Sequence, residues 1–275
     1  MITCPICPYH CALNERQTGR CRARRCMHGK IEAINYGQVT SLALDPIEKK
    51  PLMRFHPGSF ILSVGSFGCN MNCPFCQNAS ISMADEEISS DKMEPEELLA
   101  AARAMALRPE GNLGIAFTYN EPVIGYEFVY DTAKLFREAG MKTVMVTNGQ
   151  ICRGPLEKLL PYIDAMNIDL KAFRPEFYDW AGGSLATARQ TIALAAKQCH
   201  VEVTTLIIPG MNDSAHDMEA EAAWLAGLSP DMPLHISRFF PHYHLMDVPP
   251  TPVETIDALC EIARKHLNYV YKGNC

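Results

Sequence analysis

Short apolar runs recur along the chain, and each is followed by a stretch with helical periodicity. The runs fall near residues 60–66, 113–118, 142–147, 164–170, 201–208 and 233–238. Between them, Glu96–Leu107, Ile124–Ala139, Leu156–Leu160, Leu185–Lys197, Ser214–Leu228 and Val253–Leu267 read as helices. Strand-length runs separated by helices argue for βαβ units and a parallel sheet. Val201–Ile208 is nearly continuous in apolar and β-branched residues, as a strand covered on both faces should be. Pro95 suits the first turn of a helix that Glu96 and Glu97 continue. Six such units predict an α/β fold, a partial (β/α)6 barrel. Upstream, 31–44 reads as a hairpin around Gly37, and 46–58, with Pro46, Pro51 and Pro57, as a linker. The expected division is a Cys-rich module with its hairpin over 1–45, the linker over 46–58, and the barrel over 59–275.

Composition narrows the setting. An apolar fraction of 48% and a charged fraction of 20% suit a globular chain with a sizeable core. A net charge of −6 argues against a nucleic-acid partner, which would need clustered cations. The one basic cluster, Arg20 to Arg25 with Lys30, lies among cysteines and reads as the solvated face of a small module. No apolar run approaches the roughly 20 residues that span a bilayer. The N-terminus lacks the pattern of an export signal, so the expected setting is the reducing cytoplasm. In that setting twelve cysteines read as metal ligands or redox groups rather than disulfides.

The cysteines are unevenly spread. Cys69, Cys73 and Cys76 stand on one short loop directly after the first apolar run. Iron–sulfur clusters are held by thiolates, and a cubane has four corners. Three thiolates leave one iron open, and an open coordination position belongs to a reactant. A second group, Cys4, Cys7, Cys11 and Cys21, crowds the N-terminus, with His10, Cys26 or Cys275 as possible substitutes for one thiol. A module this small has almost no core and needs a metal to fold. Tetrahedral zinc and a second iron–sulfur cluster both match four thiols, and the reading leans to zinc. Cys152, Cys199 and Cys260 are scattered and behave as small hydrophobes.

In parallel α/β folds the chemistry lies at the carboxyl ends of the strands. After the first run comes the three-cysteine loop, and after the second Thr118-Tyr119-Asn120-Glu121-Pro122. Thr147-Asn148-Gly149, Asp169-Leu170-Lys171 and Pro209–Asp213 follow the next three, and Arg238 to His244 the last. Every rim position thus carries polar, turn-forming or titratable groups.

These segments resemble radical S-adenosylmethionine (SAM) enzymes of the pyruvate formate-lyase-activating type. The carriers are Gly68–Asn78 with its C-x3-C-x2-C spacing, Tyr119–Pro122, Val146–Gly149, Asn167–Lys171 and Ile207–Gly210. The N-terminal Cys4–Cys11 and Asp45–Leu52 resemble one branch more closely, the radical SAM enzyme of the AmmeMemoRadiSam system. The resemblance implies a [4Fe-4S] cluster on Cys69, Cys73 and Cys76 whose fourth iron chelates SAM. It implies reductive cleavage of SAM to a 5′-deoxyadenosyl radical that abstracts hydrogen from a substrate. Tyr119, Asn120 and Glu121 would meet the SAM amino group, although the two glycines common at this loop are absent here. Phe75 would shield the cluster and stack near the adenine, Asn148 and Asp169 would face the ribose and methionine ends, and Lys171 the carboxylate. Val146 stands where activating enzymes carry Asp, which removes a carboxylate from a cation site beside SAM. Arg238, His242 and His244 are the expected substrate contacts. An electron donor such as flavodoxin or ferredoxin is implied, with a protein substrate or partner proteins of the same system. Two alternatives stand beside this reading: a glycyl-radical-enzyme activase, and a non-catalytic iron–sulfur or zinc electron-transfer protein.

Overall fold

A computed structural model describes all 275 residues. Its centre is one eight-stranded sheet. In chain order the strands are β1 (Ser41–Pro46), β2 (Phe60–Gly65), β3 (Gly114–Phe117), β4 (Lys142–Thr147), β5 (Ala165–Asp169), β6 (His200–Ile207), β7 (Leu234–Arg238) and β8 (Val270–Gly273). They lie side by side in that same order, β2 to β8 parallel and β1 antiparallel on the β2 edge. The fold is therefore α/β with a mostly parallel sheet, as the alternating pattern predicts.

Helices form the connections: α1 (Ala79–Ser82) and α2 (Pro95–Ala106), then α3 (Tyr126–Glu138), α4 (Arg153–Leu159), α5 (Pro175–Ala181) and α6 (Leu185–Ala195), then α7 (Ala215–Leu228) and α8 (Val253–Ala263). Local chemistry fixes their starts. Pro95 opens α2 inside a reciprocal capping box between Glu94 and Glu97. Ser184 and Ser214 cap α6 and α7 by accepting from the third residue on. Helix α3 lays its buried stripe, Phe128, Val129, Ala133 and Phe136, on the sheet, and α6 and α8 pack on it likewise.

The structure corrects the expected hairpin over 31–44. Lys30–Ala33 pairs backwards with Arg24–Met27, Gln38–Val39 pairs with Asp91–Lys92, and Ser41–Pro46 joins the main sheet. The sheet thus begins eighteen residues before the expected barrel start at 59 (59 − 41 = 18). A seventh parallel strand, β8, also lies beyond the six predicted.

The expected linker is the floor of the barrel. Ile47 and Leu52 are fully buried among Ile61, Ala116, Val144 and Ala165 from four neighbouring strands. Small residues at 116 and 165 leave the room that the two larger side chains fill. The buried Glu202 carboxylate accepts from the Met53 amide at 3.0 Å and the Arg54 amide at 2.7 Å. Asn167 donates to the Pro51 carbonyl at 2.9 Å. His200 and His235 also meet Glu202, at 2.9 and 2.6 Å. Proline-rich sequence here is a packed stopper, because its backbone groups find partners inside the sheet.

Candidate functional site

The cavity of interest, about 390 Å³, opens at the carboxyl ends of the strands. Side-chain alternation selects its walls. Asn167 and Asp169 of β5, Thr204 and Leu206 of β6 and Ser237 of β7 face into it, while their neighbours pack against helices. Lys50 and Pro51 close its base. Cys69, Cys73, Phe75, Cys76, Tyr119, Asn120, Glu121, Asn148, Asp169 and Lys171 all line it. Ten candidates from four strand ends therefore meet at one place.

The three thiols come from the loop between β2 and α1. Cys73 is 8% exposed, and Cys69 and Cys76 are partly buried. The Met71 amide points at Cys69 Sγ from 3.4 Å and Asn148 Nδ2 from 3.6 Å. Burial and the nearby Glu121 carboxylate hold the Cys69 thiol well above its ordinary range. Burial raises Cys73 to about 11, with the Lys171 charge pulling back. A metal centre must displace these protons on binding.

Behind the thiols lies a buried network. Glu121 accepts from Thr147 Oγ1 at 2.7 Å, the Asn148 amide at 2.7 Å and the Val123 amide at 3.0 Å. Burial pushes its carboxyl up to about 7 against those three bonds. Asn148 donates to Asn70 Oδ1 at 2.9 Å, and Asn70 donates to the Gln150 carbonyl at 2.8 Å. Asn120 is equally committed: its oxygen accepts from the Ser66 amide, and its nitrogen donates to the Phe67 and Gly68 carbonyls. The side chains expected to meet SAM directly at 120 and 121 are thus spent tying the cysteine loop to β3 and β4. Tyr119 adopts a left-handed backbone, φ +70°, and its hydroxyl donates to Asp45 at 2.6 Å.

Lys171 reaches Asp169 at 2.6 Å, the two side chains being 15% and 29% exposed. Burial works against the Lys171 charge, but Asp169 and Cys73 hold it protonated, its pKa above the ordinary value. The ammonium thus stands between a carboxylate and a thiol of the loop. Phe75 is buried and stacks on Trp180, with centroids 5.6 Å apart. Its packing matches a plug under the loop, and it still faces the cavity.

The expected substrate contacts need correction. Arg238, His242 and His244 do not line the cavity. Ser237 faces in, so Arg238 faces out; it donates to the Thr251 carbonyl at 2.5 Å and lies over Phe240. His242 and His244 are exposed. The backbone of His244 instead donates to the Pro74 carbonyl at 2.9 Å, buttressing the cysteine loop. Sequence reasoning missed Lys50, Asn167, Thr204 and Ser237; for the last three the inward period of the strands was the available signal, whereas Lys50 follows a short helical turn and had none.

The N-terminal thiols form a separate group. Cys4, Cys7, Cys11 and Cys21 line a small cavity together with Arg20, Arg24 and Asn70. Cys26 lies apart, near Glu15, and Cys275 is exposed. His10 points to Cys152 at 3.7 Å. The three residues considered as substitute ligands are thus not brought to the four thiols.

A parallel barrel, a three-thiol loop at its carboxyl end and a polar strand-end cavity define a class of enzyme that holds an iron–sulfur cluster with one vacant corner. The family pattern described as "Radical SAM superfamily" matches residues 63–223, and the chain belongs to that superfamily. The uncharacterized protein MJ0808 of Methanocaldococcus jannaschii is 43% identical over 277 residues, 99% of this chain and 81% of that one. The pyruvate formate-lyase-activating enzyme of Clostridium pasteurianum is 26% identical over 157 residues, 55% of this chain and 63% of that one. Among solved structures, a radical SAM methyltransferase from Sphaerobacter thermophilus superposes with a TM-score of 0.59 at 18% identity, over 79% of this chain and 67% of that one. Family membership implies a [4Fe-4S] cluster and SAM. The residues fit: three thiols and two N–H donors aimed at sulfur share one cavity, and a charged pair stands beside it. No helix is long and apolar enough to cross a membrane.

Proposed function

We propose that the chain reductively cleaves SAM and uses the resulting 5′-deoxyadenosyl radical to take a hydrogen atom from a substrate other than SAM. When bound, a four-iron cluster on Cys69, Cys73 and Cys76 supplies the electron and an open iron for the cofactor. The protein supplies geometry. Glu121, through Thr147 and the Asn148 amide, locks the β3 and β4 ends against the cysteine loop. Lys171 presents a fixed positive charge to the SAM carboxylate, and Asp169 accepts hydrogen bonds from its polar end. Asn148 orients donors toward sulfur, and Phe75 screens one side. Lys50 and Pro51 exclude water from below.

The carrying observation is that one loop delivers three thiols to a cavity ringed by strand-end polar groups. The test is anaerobic reconstitution with iron and sulfide, followed by SAM, dithionite and assay for 5′-deoxyadenosine. The expected result is SAM-dependent 5′-deoxyadenosine. A protein without a four-iron centre on this loop, or with that centre capped by a fourth side chain, would overturn the proposal.

The motifs at Cys4–Cys11 and Asp45–Leu52 support the finer placement in the AmmeMemoRadiSam branch, with partner proteins of that system, a flavodoxin- or ferredoxin-type electron donor and a cytoplasmic setting. Likeness to the Clostridium pasteurianum activating enzyme favours a second reading, activation of a glycyl radical enzyme. A protein-borne glycyl radical in electron paramagnetic resonance of such a mixture would select it.

A further inference from the structure

Parallel barrels ordinarily fill their interior with apolar, mostly branched side chains. The lowest layer of this barrel obeys, with Ile61, Ala116, Val144 and Ala165 around Ile47 and Leu52. Two residues further on, and facing the same way, stand Ser63, Thr118 and Asn167, with Val146 the apolar member. Thr204 of β6 and Ser237 of β7 add two hydroxyls to the same cavity. SAM, in the proposed function, engages Asn148, Asp169 and Lys171 at the rim. The polar layer beneath is left without a task.

Hydrogen-bond donors are in excess around Lys50, at the base of that layer. Its side chain is 2% exposed, and its ammonium donates to Asp45 Oδ2 at 2.8 Å. An ammonium has three N–H groups, so two remain, beside the Tyr119 ring 4.7 Å away. Asp45 is shared: Oδ2 also accepts from the Tyr119 hydroxyl at 2.6 Å, and Oδ1 lies 3.6 Å from the Lys49 ammonium. Two cations thus stand against one carboxylate. Asn167 accepts from Thr204 Oγ1 at 3.0 Å and gives one of its two N–H groups to the Pro51 carbonyl at 2.9 Å. Its oxygen is engaged and one donor is left over. Burial draws the Lys50 pKa down even with Asp45 beside it, so one carboxylate does not offset the desolvation of this ammonium. Spare donors around a buried cation suit a group that only accepts and is negatively charged.

We propose that the substrate is a small molecule bearing a carboxylate or phosphate group, and that Lys50 and Asn167 hold this anion at the base of the cavity. Its reacting C–H then lies nearer the rim, on the side of Cys69, Cys73 and Cys76. A backbone glycine has no charge of its own to place at Lys50, so a small molecule fits this floor better than a peptide loop does. The role of the bound molecule as substrate rests on the proposed function; the excess of donors does not.

The test is nuclear magnetic resonance titration of the reconstituted, oxidised full-length protein with SAM present, so that Lys171 is already engaged. The probes are acetate, inorganic phosphate and, as the neutral counterpart of acetate, acetamide. Acetate or phosphate should bind, the tighter of the two naming the group, and acetamide should bind at least about tenfold more weakly than acetate if the carboxylate is that group. The double variant Lys50→Met, Asp45→Asn leaves the net charge unchanged and strands no lone buried ion. It should weaken the anion at least about tenfold. Binding of neither anion, acetamide binding as tightly as either, or an undiminished affinity in the double variant would overturn the proposal. Should that variant misfold, Thr204→Val decides, because it releases the Asn167 amide: binding about threefold weaker is expected, and unchanged affinity overturns. Failure of the proposed function would appear differently, as a wild type that takes up no SAM.

Discussion

The two thiol groups share a residue type and differ in what surrounds them. Cys69, Cys73 and Cys76 face a cavity of about 390 Å³ walled by polar side chains, whereas the N-terminal four enclose about 10 Å³. One has charged groups at its opening, the Asp169–Lys171 pair; the other has the buried Arg24 beside it. Thiol count alone leads one to expect an open corner in one and a closed shell in the other. A reactive centre needs room on one side, and a saturated one needs burial on all sides.

The sharpest way to break this contrast is Cys73→Ala. It should bring 5′-deoxyadenosine down to the background without SAM. Lys171→Met comes next. It removes a cation from the open site only, and SAM affinity measured by calorimetry should fall at least about tenfold, or about 1.4 kcal/mol. Glu121→Gln leaves a single oxygen where two oxygens accept from Thr147, Asn148 and Val123. It should cost about 1–3 kcal/mol in chemical denaturation, the price of stranding buried donors.

Glu221 gives a titration that belongs to neither thiol group. Buried on α7 against Thr205, its carboxyl is raised by burial from 4.5 to about 8. The folded state therefore holds this proton more tightly than the unfolded chain. The stability it contributes is complete below about pH 4.5 and is lost as pH rises through about 8. Glu221→Gln should flatten that decline in Tm between about pH 4.5 and about 8, and an unchanged slope would show that the carboxyl is not the titrating group. The smallest effect is expected of His242→Ala. Exposed and outside the cavity, this side chain should leave the rate of SAM cleavage within about twofold.

Much of this was legible in the residues. Six strands showed themselves because strands covered on both faces are largely apolar. The strand-end rule then placed Asn148, Asp169 and Lys171 at the right rim. Pairing between distant segments left no local trace. Ser41–Pro46 reads as half of a hairpin, yet its partner is Phe60–Gly65. Val270–Gly273 is too short, and too near the chain end, to carry a pattern. Direction was the other blind spot: Glu121 looks like a ligand in sequence, but three donors turn it inward. Arg238 fails for the opposite reason, a single step of strand alternation.

The stopper made by Ile47 to Arg54 has a consequence for traffic. With its base filled, the cavity is reached from the carboxyl ends of the strands or from the side where the two edge strands, β1 and β8, leave the sheet unclosed. Lys50 and Pro51 mark its lower limit.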